Sequence, residues 1–343
     1  MEIKRILIVG LGSIGTRHYK IAKRKFPDGI IKVYRRSMLS NDIITNDMVL
    51  TNYEQIKRFN PDIAIISNPS SCHIEIANYL ASLDVHLLVE KPLSNSLLGV
   101  QELIDKCLAA NLILQVGYNL RFSQTLNIFR NLIHNEAFGF FYKVNCVVGQ
   151  NLLEWRPGTD YREGVSAKRE LGGGVLLELS HEIDYLIWIF GSINWVKGKL
   201  SKESNLEIDV EDTARFEMNF HEFSNKEFIA SVSLDFVRAV PIRRCKIFGI
   251  SKDIEWDGIN GTVRVFDKIK NVWITHATEK NLVELSFERE WDSFLDCIIK
   301  NKAPLITGLD GLKVIEIVDA IRKSSEKDAR VDIVNDEKLE SFR

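Results

Sequence analysis

The chain is poor in the features that mark several protein classes. Its 343 residues include five cysteines, Cys72, Cys107, Cys146, Cys245 and Cys297, an odd number with no ligand-like spacing. That argues against a disulfide framework or a cysteine metal site, and for reduced thiols in a cytoplasmic protein. Charge of one sign is also lacking: 45 Lys and Arg stand against 47 Asp and Glu, a formal net charge of -2. No basic footprint for nucleic acid results, so no nucleic-acid partner is expected. No apolar run reaches the length of a membrane span, and Met1-Glu2-Ile3-Lys4-Arg5 leads directly into a short apolar segment without a signal-like stretch. Internal repeats and low-complexity tracts are missing as well. With a hydrophobic content of 45% the chain is long enough to bury a large core, in two domains.

What the sequence does contain begins at residue 6. Ile6-Leu7-Ile8-Val9 reads as a buried parallel strand, Gly10-Leu11-Gly12-Ser13-Ile14-Gly15 as a glycine turn, and Ser13 to Lys25 as a helix ending at Pro27-Asp28-Gly29. A glycine turn between a strand and a helix is the fingerprint of dinucleotide binding. Gly10 permits the sharp exit, Gly12 lets the backbone approach a pyrophosphate, and Gly15 lets the helix pack on the sheet. The helix start then offers free N-H groups and a positive dipole end to phosphate.

The second strand, Ile30 to Tyr34, bears on which dinucleotide binds. An NAD site usually places a carboxylate at its end to accept from the ribose 2′-hydroxyl. Here Arg35, Arg36 and Ser37 follow, a set suited to a 2′-phosphate through charge-assisted hydrogen bonds. NADP is therefore the preferred cofactor, with NAD possible.

Strand and helix patterns alternate to about residue 120. The strand Asp62 to Ser67 runs into Asn68-Pro69-Ser70-Ser71-Cys72-His73, a helix covers Ile74 to Leu83, and Val85-His86-Leu87-Leu88-Val89 closes on Glu90-Lys91-Pro92. Leu97 to Ala110 is a further helix, and Leu112 to Tyr118 a strand ending at Asn119-Leu120-Arg121-Phe122. After a linking helix, Ser123 to His134, the period becomes two: Ala214, Phe216, Met218 and Phe220, then Phe228, Ala230, Val232, Leu234 and Phe236, about a turn at Ser224-Asn225. Short strands follow at Cys245 to Phe248, Thr262 to Phe266 and Val272 to Thr275, and helices at Glu290 to Lys300 and Leu312 to Lys323. The fold class is α/β: an N-terminal doubly wound Rossmann sheet over residues 1-121, and a C-terminal α+β domain with a large, mostly antiparallel sheet over residues 122-343. Such a pairing implies a substrate cleft between the domains. A sheet with one uncovered face also suggests a homodimer or homotetramer.

These segments, with Gly172-Gly173-Gly174 through Asp184 and Ile306-Thr307-Gly308-Leu309-Asp310-Gly311-Leu312, closely resemble the glucose-fructose oxidoreductase, inositol dehydrogenase and MocA-like family in order and spacing. The resemblance implies a dehydrogenase or reductase acting on a sugar, nucleotide sugar or cyclic polyol, with Lys91 as catalytic acid/base and a Lys91-Pro92 bond that is often cis. It implies a cofactor site of Gly10, Gly12, Ser13, Ile14, Gly15, Arg35, Arg36, Ser37, Asn68, Pro69, His73, Glu90, Lys91, Asn119 and Arg121, with Glu90 orienting the lysine or the cofactor. No metal is expected. Relatives that oxidise a sugar transiently and return the hydride, and non-catalytic sugar or nucleotide sensors, are the alternative readings.

The second catalytic element is expected on a helix after the glycine triplet. Glu178, His181 and Asp184 are spaced by three and share one side of it, while Leu177, Ile183, Leu186 and Ile187 pack on the other. His181 is the natural partner of Lys91. The commonest family pattern has an acid four residues before this histidine, where Leu177 stands here; Glu178 is only three before. Trp155, Arg156 and Asp160, in a loop with Arg162, are expected to bind substrate together with Lys91, Arg121, Glu178 and His181.

Overall fold

The computed structural model describes residues 3–35, 44–135, 139–155, 158–223 and 226–333. The chain divides into two compact units. The first comprises the residues up to Tyr118 together with Glu288–Ile315, and the second comprises Asn119–Phe287 and the residues from Glu316 onward. The late segment Glu288–Ile315 thus belongs to the first unit although it follows most of the second in the chain.

The first unit is a parallel sheet alternating with helices: β1 (Arg5–Val9), α1 (Ser13–Lys25), β2 (Ile30–Tyr34), β3 (Val49–Leu50), α2 (Tyr53–Phe59), β4 (Ile63–Ile66), α3 (His73–Ala81), β5 (His86–Glu90), α4 (Val100–Ala109) and β6 (Leu114–Gly117). The strand order is β3-β2-β1-β4-β5-β6, all parallel. That order is the doubly wound arrangement in which ligands collect at the carboxyl ends of the strands. Ile6, Leu7 and Ile8, all of β4 and Leu87 to Val89 have no solvent exposure. Burial on both faces is why these strands read as unbroken apolar runs. The fourth helix starts at Val100, three residues later than its apolar pattern, because Gly99 lies at φ +73° just before it.

The late segment is tied in through hydrogen bonds. Val116 N-H donates to the Ile306 carbonyl (3.0 Å), Gln115 Nε2 donates to the Glu290 carbonyl (3.1 Å), and Lys25 Nζ reaches Asp292 (2.5 Å). A Cβ on Gly311 would lie 2.9 Å from Leu93 and from Val116 side chains, so only glycine allows that approach.

The second unit contains α5 (Gln124–Ile133), β7 (Phe141–Gly149), α6 (Val175–Glu178), α7 (His181–Phe190), β8 (Ile193–Ser201), β9 (Thr213–Phe223), β10 (Lys226–Asp235), β11 (Ile242–Gly249), β12 (Lys252–Asp257), β13 (Thr262–Asp267) and β14 (Val272–Thr278). Helices α8 (Leu282–Lys300) and α9 (Gly308–Lys327) follow, then β15 (Val331–Asp332). The sheet has nine strands in the order β14-β13-β12-β11-β7-β10-β9-β8-β15, antiparallel except for the β7–β10 pair. Alternation places Ala214, Phe216, Met218 and Phe220 on the buried face with Phe228, Ala230, Val232 and Leu234. Phe190 of α7 packs on Phe220 and Phe228 with centroids 5.3 and 4.9 Å apart, and Trp256 donates its indole N-H to Thr125 Oγ1. Polar positions of the strands carry ion pairs such as Lys246–Asp253 (3.6 Å) between β11 and β12. The turn expected at Ser224-Asn225 lies outside the described residues. Among those described, no helix is long and apolar enough to cross a membrane.

Candidate active site

Parallel register aligns Val9, Ile66 and Val89 in one row across β1, β4 and β5. The three segments leaving that row are the glycine turn, Ser67–Pro69 and Glu90–Pro92, the motifs singled out from the sequence. Gly10 has φ +83°, and a Cβ there would meet Asn68 backbone at 2.9 Å. On Gly15 a Cβ would lie 2.2 Å from the Gly10 carbonyl oxygen. Gly12 differs: nothing lies within 4 Å of its Cβ position. It is the N-cap of α1, with no side-chain cap and no acid in the first turn, while Ser13 is exposed and Ile14 half-buried beside it. Uncapped N-H groups at an open helix start fit a dinucleotide pyrophosphate. Half-buried Arg35 follows β2, its N-H on the Leu50 carbonyl (3.0 Å); Arg36 and Ser37 lie outside the described residues.

His73 is 1% exposed, and both its ring nitrogens face backbone: Nδ1 lies 3.0 Å from the Pro92 carbonyl oxygen and Nε2 2.8 Å from that of Asn68. Burial pushes its proton affinity down, against the pull of those two carbonyls. The imidazole thus sits between the Asn68 and Pro92 carbonyls and, when neutral, donates to one of them; the Lys91-Pro92 bond beside it is cis. Asn68 Oδ1 is buried without a hydrogen-bond partner among the described residues, an acceptor available to a ligand.

Half-buried Lys91 directly follows β5. Its backbone N-H donates to Glu90 Oε2 (3.1 Å), while Glu90 Oε1 lies 2.8 Å from His18 Nε2 on α1. On the ring's other side, Trp291 Nε1 donates to His18 Nδ1 at 2.8 Å. An indole N-H only donates, so Nδ1 is the bare nitrogen and Nε2 carries the proton toward Glu90. Glu290 completes the group, fully buried, with both carboxyl oxygens unpartnered among the described residues. Burial, and then the negative charge of Glu90, hold its carboxyl well above the usual carboxylate range, which favours the protonated form. One ligand-type atom from each of His18, Glu90 and Glu290 lies within 4.8 Å of the others. Because Nε2 is protonated, the imidazole has no lone pair for a cation there, and hydrogen bonding governs the cluster. Sequence reading singles out Glu90 but not His18, Trp291 or Glu290.

In the second unit the expected continuous helix is two. Leu179 (φ −105°, ψ 28°) and Ser180 interrupt it, so Glu178 ends α6 and His181 opens α7. Glu178 therefore does not share one helical face with His181 and Asp184; His181 and Asp184 still lie one turn apart on α7. Asp184 is fully buried and bound by Arg121, whose Nε and Nη2 donate to its two oxygens at 3.0 and 2.7 Å. Bidentate pairing commits both to holding the polypeptide near α7. Asn119 likewise donates its side-chain amide to Ser286 Oγ (2.7 Å). His181 is 9% exposed. Upstream, Gly174 has φ +106° and lies against Glu211, which accepts from the Leu176 N-H of α6 at 3.2 Å. In the preceding loop Trp155 packs edge-on against Phe236 (5.1 Å), and exposed Asp160 is held by Arg162 (2.8 Å). Arg156 lies outside the described residues.

Residues 4–118 match the family model described as an oxidoreductase family, NAD-binding Rossmann fold, and residues 131–333 match its C-terminal alpha/beta domain. The chain is 23% identical over 350 residues to myo-inositol 2-dehydrogenase of Thermotoga maritima, covering 94% of this chain and 96% of that one. Its fold is shared with aldose-aldose oxidoreductase from Caulobacter crescentus (TM-score 0.80, 20% identity, 97% of this chain and 100% of that one). It is shared equally with the WlbA dehydrogenase from Bordetella pertussis, solved with NADH and UDP-GlcNAcA (TM-score 0.80, 20% identity, 98% and 100%). A dinucleotide-binding sheet with its glycine turn, a Glu-Lys-Pro segment at the carboxyl end of β5 and a match over both domains place the chain in the Gfo/Idh/MocA oxidoreductase family.

Proposed function

We propose that this protein is an NADP-preferring dehydrogenase or reductase acting on a ring secondary alcohol or ketone of a sugar, nucleotide sugar or cyclic polyol, with Lys91 and His181 as its acid/base pair. The observation that carries the reading is the row of strand ends. Register places the open Gly12 turn, Asn68 and Lys91 on one edge of one sheet, so a lysine stands where a dinucleotide would lie. The nicotinamide, when bound, supplies the acceptor or donor of a hydride. The chain's own part is proton transfer and alignment. Lys91 takes the hydroxyl proton in oxidation and returns it in reduction, and His181 serves as its relay or as donor to the substrate oxygen. Arg35 at the end of β2 supports the preference for a 2′-phosphate. Trp155 and Asp160 suit a sugar or base ring and its hydroxyls. The names of the relatives put inositols, free aldoses and nucleotide sugars first among substrates to try.

The test follows reduced-nicotinamide absorbance with each of these compounds, in both directions, for wild type and Lys91→Ala. A signal that requires Lys91, with NADPH affinity retained within about threefold, supports the assignment. Turnover that persists in Lys91→Ala overturns it.

A further inference from the structure

We propose that His18 is a positioning residue for the reaction: it transmits the constraint of Trp291 to Glu90, which in turn holds the Lys91 peptide. The proposal rests on the reading of Lys91 as the acid/base.

Three hydrogen bonds run in series through buried side chains. Trp291 N-H donates to His18 Nδ1 (2.8 Å), His18 Nε2-H donates to Glu90 Oε1 (2.8 Å), and Lys91 N-H donates to Glu90 Oε2 (3.1 Å). They join α8, the dinucleotide helix α1 and the end of β5. His18 and Trp291 have no exposure and Glu90 has 7%. An apolar side chain at position 18 would fill the space without burying polar atoms. A polar ring kept there in one tautomer by a dedicated donor instead fixes a direction: Glu90 is held toward the Lys91 peptide.

Glu290 shows what the direction is set against. Its carboxyl lies within 4.8 Å of Glu90, biased toward its protonated form by burial, with no partner of its own among the described residues. Glu90 is the group whose charge acts on it; His18 accepts from Trp291 at Nδ1, and Gln115 from β6 donates to the backbone carbonyl of Glu290 rather than to its side chain. Without the N-H of His18, Glu90 turns to share the proton of Glu290, as adjacent carboxyls do. The Lys91 peptide then loses its acceptor. His18 thus decides between two partners for one carboxylate.

The experiment compares His18→Ala with His18→Gln, whose amide restores an N-H donor toward Glu90, and adds Trp291→Phe as a second route that leaves His18 in place. Hydrogen exchange of the Lys91 amide, read by NMR in the full chain, needs no substrate. Exchange is expected to quicken about tenfold or more in His18→Ala and to return to within about threefold of wild type in His18→Gln. Turnover is expected to show the same order, with kcat down about tenfold in His18→Ala, KM within about twofold, and an intermediate loss in Trp291→Phe. NADPH affinity within about threefold of wild type reports a folded first unit. Equal exchange in His18→Ala and wild type, or equal kcat in His18→Ala and His18→Gln, overturns the proposal. Failure of the underlying reading is distinct: there Lys91→Ala itself turns over normally, whatever the exchange of the Lys91 amide.

Discussion

Replacement of Glu290 by glutamine should change how stability depends on pH. In the unfolded chain this carboxyl titrates near the ordinary glutamate value of about 4.3. In the fold, burial and the charge of Glu90 hold it well above that range. The sign follows from proton counting. Above the unfolded value the folded protein keeps a proton that the unfolded chain has released, so stability falls as pH rises, until the folded group itself ionises. One proton corresponds to a slope of about 1.4 kcal/mol per pH unit within that window. Glutamine keeps the neutral shape and removes the slope. Urea unfolding of wild type and Glu290→Gln from about pH 5 to about pH 7 gives the difference directly, since every other titrating group is common to both and cancels. The variant should gain on wild type by about 1.4 kcal/mol for each unit of pH through the window. A difference that stays flat across the range refutes the reasoning, because Glu290 would then release its proton at the same pH folded and unfolded. Infrared spectra offer a second check: the carbonyl stretch of a protonated carboxyl should be present in wild type at neutral pH and lost in the variant.

Other perturbations have equally definite outcomes. Arg35→Asp should move cofactor preference from NADPH toward NADH by at least about tenfold, measured by fluorescence titration of each, since a carboxylate repels a 2′-phosphate. Wild-type affinities equal for the two cofactors would remove the basis for that expectation. Arg121→Ala leaves Asp184 as a buried charge without its bidentate partner and should cost about 3–5 kcal/mol in chemical denaturation; a loss below about 1 kcal/mol would mean the pair is solvated. Gly174→Ala forces a side chain at φ +106° against the Glu211 carboxylate 2.5 Å away, and should cost about 1–3 kcal/mol. An unchanged melting temperature would contradict the packing at that turn.

Features set by neighbouring residues were legible in the sequence. Ile6 to Val9, the glycine turn and Ser13 to Lys25 form the strand, turn and helix that local pattern predicts, and the family resemblance drawn from the motifs is matched over both domains. The Lys91-Pro92 segment falls at the end of a strand, as its apolar lead-in requires. What stayed hidden depends on distance along the chain or on breaks that leave spacing intact. Glu178, His181 and Asp184 keep a helical interval of three although Leu179 and Ser180 break the helix, because an interval does not register a change of backbone angle at one residue. The parallel β7–β10 pair follows from topology, which period-two alternation cannot distinguish from an antiparallel one. His18 gave no signal, being one buried position on an amphipathic helix whose indole donor lies 273 residues away. The resemblance puts Arg121 and Asn119 at the cofactor site, but local pattern gives no sign of the partners their side chains hold, Asp184 and Ser286.

The return of Glu288–Ile315 to the first unit has a consequence for synthesis. A nascent chain that has emerged as far as Tyr118 possesses every strand of the dinucleotide sheet. It does not yet possess Trp291, so the imidazole of His18 lacks the donor that selects its tautomer, or Ile306, whose carbonyl engages Val116 in β6. The nucleotide-binding half is begun before the second unit, yet it is complete only once Ile315 has been made. Growth of the polypeptide therefore imposes an interval in which the glycine turn exists while Glu90 is not yet locked, and that interval closes only when most of the second unit has already left the ribosome.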